Sequence, residues 1–388
     1  HAHLLAQDHT CHDWRTWPAG LNDPRSAAVA DFTAEHGGEV AFHAFLQFLA
    51  DASLAETQRR LRAAGMPIGL VSDLAVGADP AGSQAWSYPE QILAGVSIGA
   101  PPDGFSPLGQ DWGLTAFSPT ALIDTGYGGF LGALRAALRH AGGVRIDHVM
   151  GLARLWLIPP GARPSEGVYV RYPIEELLRL VALESWQHHA IVIGEDLGTV
   201  PDGFRDRLEA AGMLGMRVLW FERDLLSAFI DPARWSRPAV AVTTTHDLPT
   251  VVGWWQGRDI EWRRRLDRFP DAATADAQAA ARKHDRIALW EAMRRSGAAT
   301  GGPPGEDAAV AVADAAVRHV GAAACTLALL PMEDAAALAE QPNLPGTVDG
   351  HPNWCRRLPE AAERALDRAD VRARIAAIAA TRRGDATL

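Results

Sequence analysis

Six short apolar runs, each closing on ionisable residues and each separated from the next by a helical pattern, constrain this chain more than any other feature. They occupy 66–73, 142–148, 190–196, 216–222, 239–247 and 324–334. Strands that alternate with helices pair in parallel through helical crossovers. Polar groups gathered at the carboxyl ends of many different strands favour a (β/α)8 TIM-type barrel, an α/β fold. An open doubly wound sheet would focus its ligand at one switch point, and neither GxGxxG nor a Walker loop marks one. Six strands are two short of eight. The expectation is that the missing pair precedes His1 and that the chain, which begins in a polar stretch without Met, is the later part of something longer. The domain reading is then one catalytic barrel over 1–388, incomplete at its N-terminus, with a long insertion at about 74–141 after the third barrel strand.

Apolar periodicity of three to four residues predicts helices over 40–64, near 130–141, and over 173–188, 201–211, 282–295 and 308–320. An Ala/Arg-rich surface helix is expected over 360–383. The stretch between 151 and 173 reads as a long loop. Within the insertion, the run 100–113 mixes Pro, Gly and two aromatics, Phe105 and Trp112. That composition suits either a binding loop or a plain surface loop.

Composition excludes some functions. A net charge of −10 without any basic stripe argues against nucleic acid. With neither a signal peptide nor eighteen consecutive apolar residues, no membrane partner is expected. The three cysteines are far apart and odd in number, which suits a reducing cytoplasm rather than a disulfide framework. Thirteen tryptophans against four tyrosines are unusual. Most belong in a core, but Trp86, Trp112, Trp254 and Trp255 stand beside polar motifs, where a flat face suits stacking on sugar rings.

The decapeptide 142–151 carries Arg145, Asp147 and His148 at the end of its apolar half. A buried strand tolerates such charges only if they pair at an open end. A satisfied core ion pair is the plain alternative. Asp147, Glu195 and Asp247 end three different runs, so a barrel would bring them to one mouth. Cleaving an acetal through an oxocarbenium-like transition state needs two carboxyl groups, roughly 5 Å apart when one of them is a nucleophile. Arg145 would hold Asp147 ionised, as a nucleophile requires, whereas an acid at Glu195 needs burial and nearby negative charge to raise its pKa. Asp247 would then bind sugar hydroxyls. Pairing alone does not say which acid does which job.

The segments RIDHVMGL, VIGEDLGTVP, TTHDLPTVVGWW, SIGAPPDGFSPLGQDWGL and LLPMEDAAALAEQPNLPGTVDGHPNWCRRL resemble the 4-α-glucanotransferases, the amylomaltases of glycoside hydrolase family 77. The likeness runs from about 14 to 357. It implies an α-amylase-type retaining barrel that cuts an α-1,4-glucan, holds a glucosyl-enzyme ester and passes it to another glucan's 4-hydroxyl. Maltooligosaccharides and starch- or glycogen-derived dextrins are the implied partners. By motif, Asp147 resembles the nucleophile, Glu195 the acid/base and Asp247 the transition-state stabiliser. Arg145 resembles the nucleophile's partner, and His246 a ligand of sugar hydroxyls. Asp103 and Phe105 match a mobile loop over the acceptor side, and Asp73 the acid that ends the third barrel strand. The resemblance implies neither cofactor nor catalytic metal. It also departs from the family pattern, whose further N-terminal stretch, supplying the first two strands, has no counterpart here; a barrel without them leaves parallel edges open.

Two other readings compete. A metal-dependent barrel hydrolase would use His148, His246, Asp147, Glu195 and Asp247 as ligands. No HxH or HExxH pair supports it, and Arg145 sits among the would-be ligands. The other is a glycan-binding remnant that does not catalyse. Hydrolysis, with water replacing the acceptor glucan, is a variant of the main reading.

Overall fold

The computed structural model describes residues 1–103, 106 and 108–383. The chain divides into two compact units, His1–Gly215 and Met216–Leu388.

The first unit opens with three helices: α1 (Ala2–Gln7), α2 (Ala27–Glu35) and α3 (Gly37–Ala63). Ser26 caps α2 by accepting from the Val29 amide, and Arg60 and Arg62 lie in the last turn of α3, where cations suit the helix dipole. Three strands, β1 (Val71–Leu74), β4 (Gly143–Ile146) and β7 (Ile191–Gly194), form a parallel sheet in the order β1-β4-β7. Apolar side chains every four residues explain the crossover helix Gly128–Leu138, which buries Phe130, Leu134 and Leu138. The next crossover helix, Ile174–His188, buries Leu177, Leu178 and Val181. Together with Val144, Ile146 and Val192 they make the core of this unit.

β1 begins five residues later than its apolar run. Pro67 has no amide to give a ladder, Gly69 adopts a left-handed φ of 74°, and the Leu70 amide bonds to the Gln58 side chain instead. A second sheet is antiparallel, in the order β3-β2-β5-β6, built from β2 (Ser97–Ala100), β3 (Gln110–Leu114), β5 (Arg154–Ile158) and β6 (Val168–Arg171). The 151–173 stretch is therefore a strand pair and not a loop. Its Pro159-Pro160-Gly161 turn interrupts two four- to five-residue strands that pair Leu157 with Val168.

In the second unit, β8 (Gly215–Val218), β9 (Ala239–Val242) and β10 (Leu327–Leu329) form a three-stranded sheet in the order β10-β9-β8. β9 is buried throughout, as a strand covered on both faces must be. The helix Ala309–Gly321 buries nine residues, Val312, Val317 and Val320 among them. The helix expected from 282 begins ten residues earlier, as Ala272–Arg295, because Asp271 caps it on the Thr274 amide at 2.7 Å. Its Ala-rich first turns carry no apolar stripe to announce them. The tail helix is shorter than expected, Ala369–Arg383. Among the described residues, no helix is long and apolar enough to cross a membrane.

Candidate active site

The register of the first parallel sheet sets the geometry. Ile146 on β4 pairs with Gly194 on β7, so Asp147 and Glu195 are the next residues on two adjacent strands. The main chain continues the ladder past both: Asp147 N–H donates to Leu74 (2.9 Å), Glu195 N–H to Ile146 (3.0 Å), and Val149 N–H to Glu195 (3.0 Å). Neighbouring strands lie about 4.8 Å apart, so the two residues leave the sheet side by side. Gly194 makes the approach possible, since a Cβ there would meet the Val149 side chain at 2.9 Å. His148 adopts a left-handed conformation (φ 43°), an uncommon one for a residue with a Cβ, and turns the chain away from the strand at this point.

The two carboxyl groups have opposite surroundings. Asp147 accepts a hydrogen bond from Arg145 Nη2 at 2.8 Å, while Arg145 Nη1 donates to both oxygens of Asp73, at 2.8 and 2.9 Å. One guanidinium thus joins the carboxylates of β1 and β4. Among the described residues Glu195 makes no ion pair. Its Oε2 accepts from the His148 amide (2.9 Å) and its Oε1 from the Leu197 amide (2.8 Å). Burial pushes the Glu195 carboxyl up to about 7, and the Asp147 charge adds to that against the opposing amides and Arg145. Burial also lowers His148 to about 4, so its imidazole is neutral at pH 7. Trp112, on β3, lies edge-on to His148 with ring centroids 5.2 Å apart. Asp103 begins the turn before β3, accepting from the Ser106 amide at 2.6 Å. Phe105 lies outside the described residues.

Asp73, Arg145, Asp147, His148, Glu195 and Trp112 therefore belong to the first unit. His246 and Asp247 belong to the second, just past the end of β9. There the Asn343 side-chain amide donates to Asp247 Oδ1 at 2.6 Å, and His246 Nε2 is 3.2 Å from Asp247 Oδ2. Trp354 packs against His246 with centroids 5.0 Å apart. The loop bearing Asp247 is fastened at both ends by a fully buried acid, Asp334. It accepts from the Thr243 hydroxyl and from the Val251 amide (2.7 Å), and burial raises it to about 6.

Sequence reasoning missed Asn343 and Asp334. Both stand in the terminal segment quoted above, but only their pairing across some ninety residues reveals a role beside Asp247. It also misplaced two tryptophans. Trp254 and Trp255 are buried, Trp254 stacked on Trp220 at 4.8 Å, and belong to the core rather than to a cleft. Trp86 is spent on packing against Trp17 and on a hydrogen bond to the Leu21 carbonyl. Among the described residues, His, Cys, Asp or Glu ligands gather in threes at metal-binding spacing only at His3, His36 and Glu39.

A family model described as 4-alpha-glucanotransferase matches residues 3–363. A 4-alpha-glucanotransferase of Mycobacterium tuberculosis is 40% identical over 348 residues, covering 88% of this chain and 47% of the relative. One from Haemophilus influenzae is 33% identical over 362 residues, covering 92% of this chain and 51% of the relative. The crystal structure of amylomaltase from Corynebacterium glutamicum superimposes with a TM-score of 0.81 at 31% identity, covering 87% of this chain and 50% of that one. The chain thus spans about half the length of the curated relatives it matches, and its α/β fold is related to the amylomaltase barrel.

Proposed function

The chain belongs to the 4-alpha-glucanotransferase family, and on that footing we propose that it carries the reacting carboxyl groups for transfer of α-1,4-glucan segments between maltooligosaccharides or starch-type dextrins. The observation that carries the reading is the pair Asp147 and Glu195, neighbours in register, one ion-paired with a guanidinium and the other buried to a pKa of about 7.

In the first step an Asp147 oxygen attacks the anomeric carbon. The C1–O bond breaks, Glu195 gives its proton to the departing 4-oxygen, and a glucosyl ester of Asp147 forms. In the second step Glu195, now ionised, takes the proton of an acceptor's 4-hydroxyl. That oxygen attacks C1, and the ester bond returns its electrons to Asp147. Arg145 orients Asp147 and is itself steadied by Asp73. Asp247 takes the role of transition-state stabiliser, oriented by Asn343, with His246 as a ligand for sugar hydroxyls. Asp103, Phe105 and Trp112 are assigned to substrate binding. A cytoplasmic location belongs to the same proposal and is supported by three cysteines that are all free.

Incubating the 388-residue chain with maltotriose tests the reading. Glucose with a ladder of longer maltodextrins supports transfer. Glucose and maltose alone place water as the acceptor, and unchanged maltotriose overturns the activity for this chain.

A further inference from the structure

A second constellation stands in the first unit, in a part that supplies no residue to the catalytic cluster. We infer that His3, His36 and Glu39 form a binding site for a divalent transition-metal ion of the zinc class, tying α1 to the junction of α2 and α3. His3 Nδ1 lies 3.2 Å from each oxygen of Glu39, and His36 Nδ1 lies 3.4 Å from Glu39 Oε1. One ligand atom from each of the three residues falls within 4.8 Å of the others. These spacings are long for charge-assisted hydrogen bonds, which favour about 2.7–2.9 Å. Two of the three spacings, 3.2 and 3.4 Å, are close to the edge of a tetrahedron whose centre is about 2.0–2.1 Å from each ligand, and the third, between the two imidazoles, is within 4.8 Å.

The surroundings orient the ligands. His36 occupies the N-cap position of α3, yet its side chain makes no cap hydrogen bond. It points along the first turn to Glu39, three residues on. Phe32 packs on both imidazoles, 5.3 Å from His3 and 4.3 Å from His36, and the two imidazoles are 4.1 Å apart. That wall limits the rotamers each ring can take. The Gln7 side-chain amide meets the far nitrogen of His3, Nε2, at 2.9 Å. The atom that faces it is the amide nitrogen, which holds the His3 ring from its far side. Two imidazoles and one carboxylate select zinc-class ions over magnesium or calcium, which prefer oxygen ligands. All three side chains retain solvent exposure, leaving room for water as a fourth ligand.

The test is zinc titration of the EDTA-dialysed 388-residue chain by calorimetry, with melting temperature read in parallel. The expected result is one saturable ion per chain and a raised melting temperature. His3→Ala and Glu39→Gln should each weaken the affinity tenfold or more and abolish the thermal shift, while His43→Ala, an exposed histidine on α3, leaves both unchanged. Cobalt(II) gives a second readout, the strong visible absorption of a four-coordinate site, displaced by zinc. Binding that is equally tight in His3→Ala and Glu39→Gln overturns the proposal, as does wild-type chain without a saturable ion or a cobalt band.

Discussion

β4 and β1 are neighbours in one sheet and share one guanidinium, yet they are differently built. β4 has a strand on each side and buries Val144 completely; β1 is the edge of its sheet and leaves Val71 40% exposed. Asp147, at the end of β4, is 35% exposed, and Asp73, on β1, is 53% exposed. α3, which leads into β1, continues the contrast. It has no buried residue and presents Phe42, Phe45, Phe48 and Leu49 to solvent. The helix Ala309–Gly321, by contrast, buries nine of its residues. Apolar periodicity reports which face of an element is suited to burial, and coverage by neighbours decides whether that face is buried. In the site, likewise, the carboxylate on the covered strand is the less exposed of the two that Arg145 meets.

The largest expected effect lies on the covered side. Asp147→Asn should lower the rate of maltotriose conversion by about three orders of magnitude or more, and a variant keeping most of its rate would remove the nucleophile assignment. Glu195→Gln follows, with a loss of about 10²–10⁴-fold for the transferring proton. In wild-type protein kcat/KM should fall as pH rises through about 7, because the acid must be protonated in the free enzyme. The same pKa has a consequence for stability. Folding raises it above its unfolded value, so ionisation penalises the folded state increasingly between about pH 4.5 and 7. Chemical denaturation should therefore find the stability difference between Glu195→Gln and wild type shifting by about 1–3 kcal/mol in the variant's favour as pH rises from about 4.5 to 7.

The two valines measure coverage directly. Val144→Ala should cost about 2 kcal/mol of unfolding free energy, and Val71→Ala no more than about 0.5 kcal/mol. Equal costs would mean that the edge strand is as well packed as the centre. The smallest effect on turnover is expected at the other carboxylate on Arg145. Asp73→Asn removes an exposed ion pair and should slow turnover no more than about tenfold. If it matches Asp147→Asn instead, the two strands contribute equally to the site and the contrast fails.

Much of this contrast was legible before any coordinates. Strand identity for β4, β7 and β9 followed from short Val/Ile/Ala-rich runs, because a strand covered on both faces is apolar at nearly every position. Arg145, Asp147 and Glu195 stood out because charge at the end of such a run is costly unless paired. The failures share a cause in range. β5 and β6 are short, half-buried strands whose partners are as distant as β2, and no local pattern distinguishes them from loop. The hydrogen bonds of Asn343 to Asp247 and of Asp334 to Thr243 and Val251 join residues more than eighty positions apart. Trp254 and Trp255 were judged by polar neighbours in sequence, whereas burial is set by neighbours in space.

Both oxygens of Glu195 rest on main-chain amides, those of His148 and Leu197. An acid seated this way is indifferent to which side chains flank it, since every residue but proline offers the same donor. Replacing Leu197 with another residue that keeps its amide can therefore change what surrounds Glu195 while both hydrogen bonds to its carboxyl remain. Proline at position 197 would take one of the two supports away, and its ring would also restrict the buried Asp196 before it.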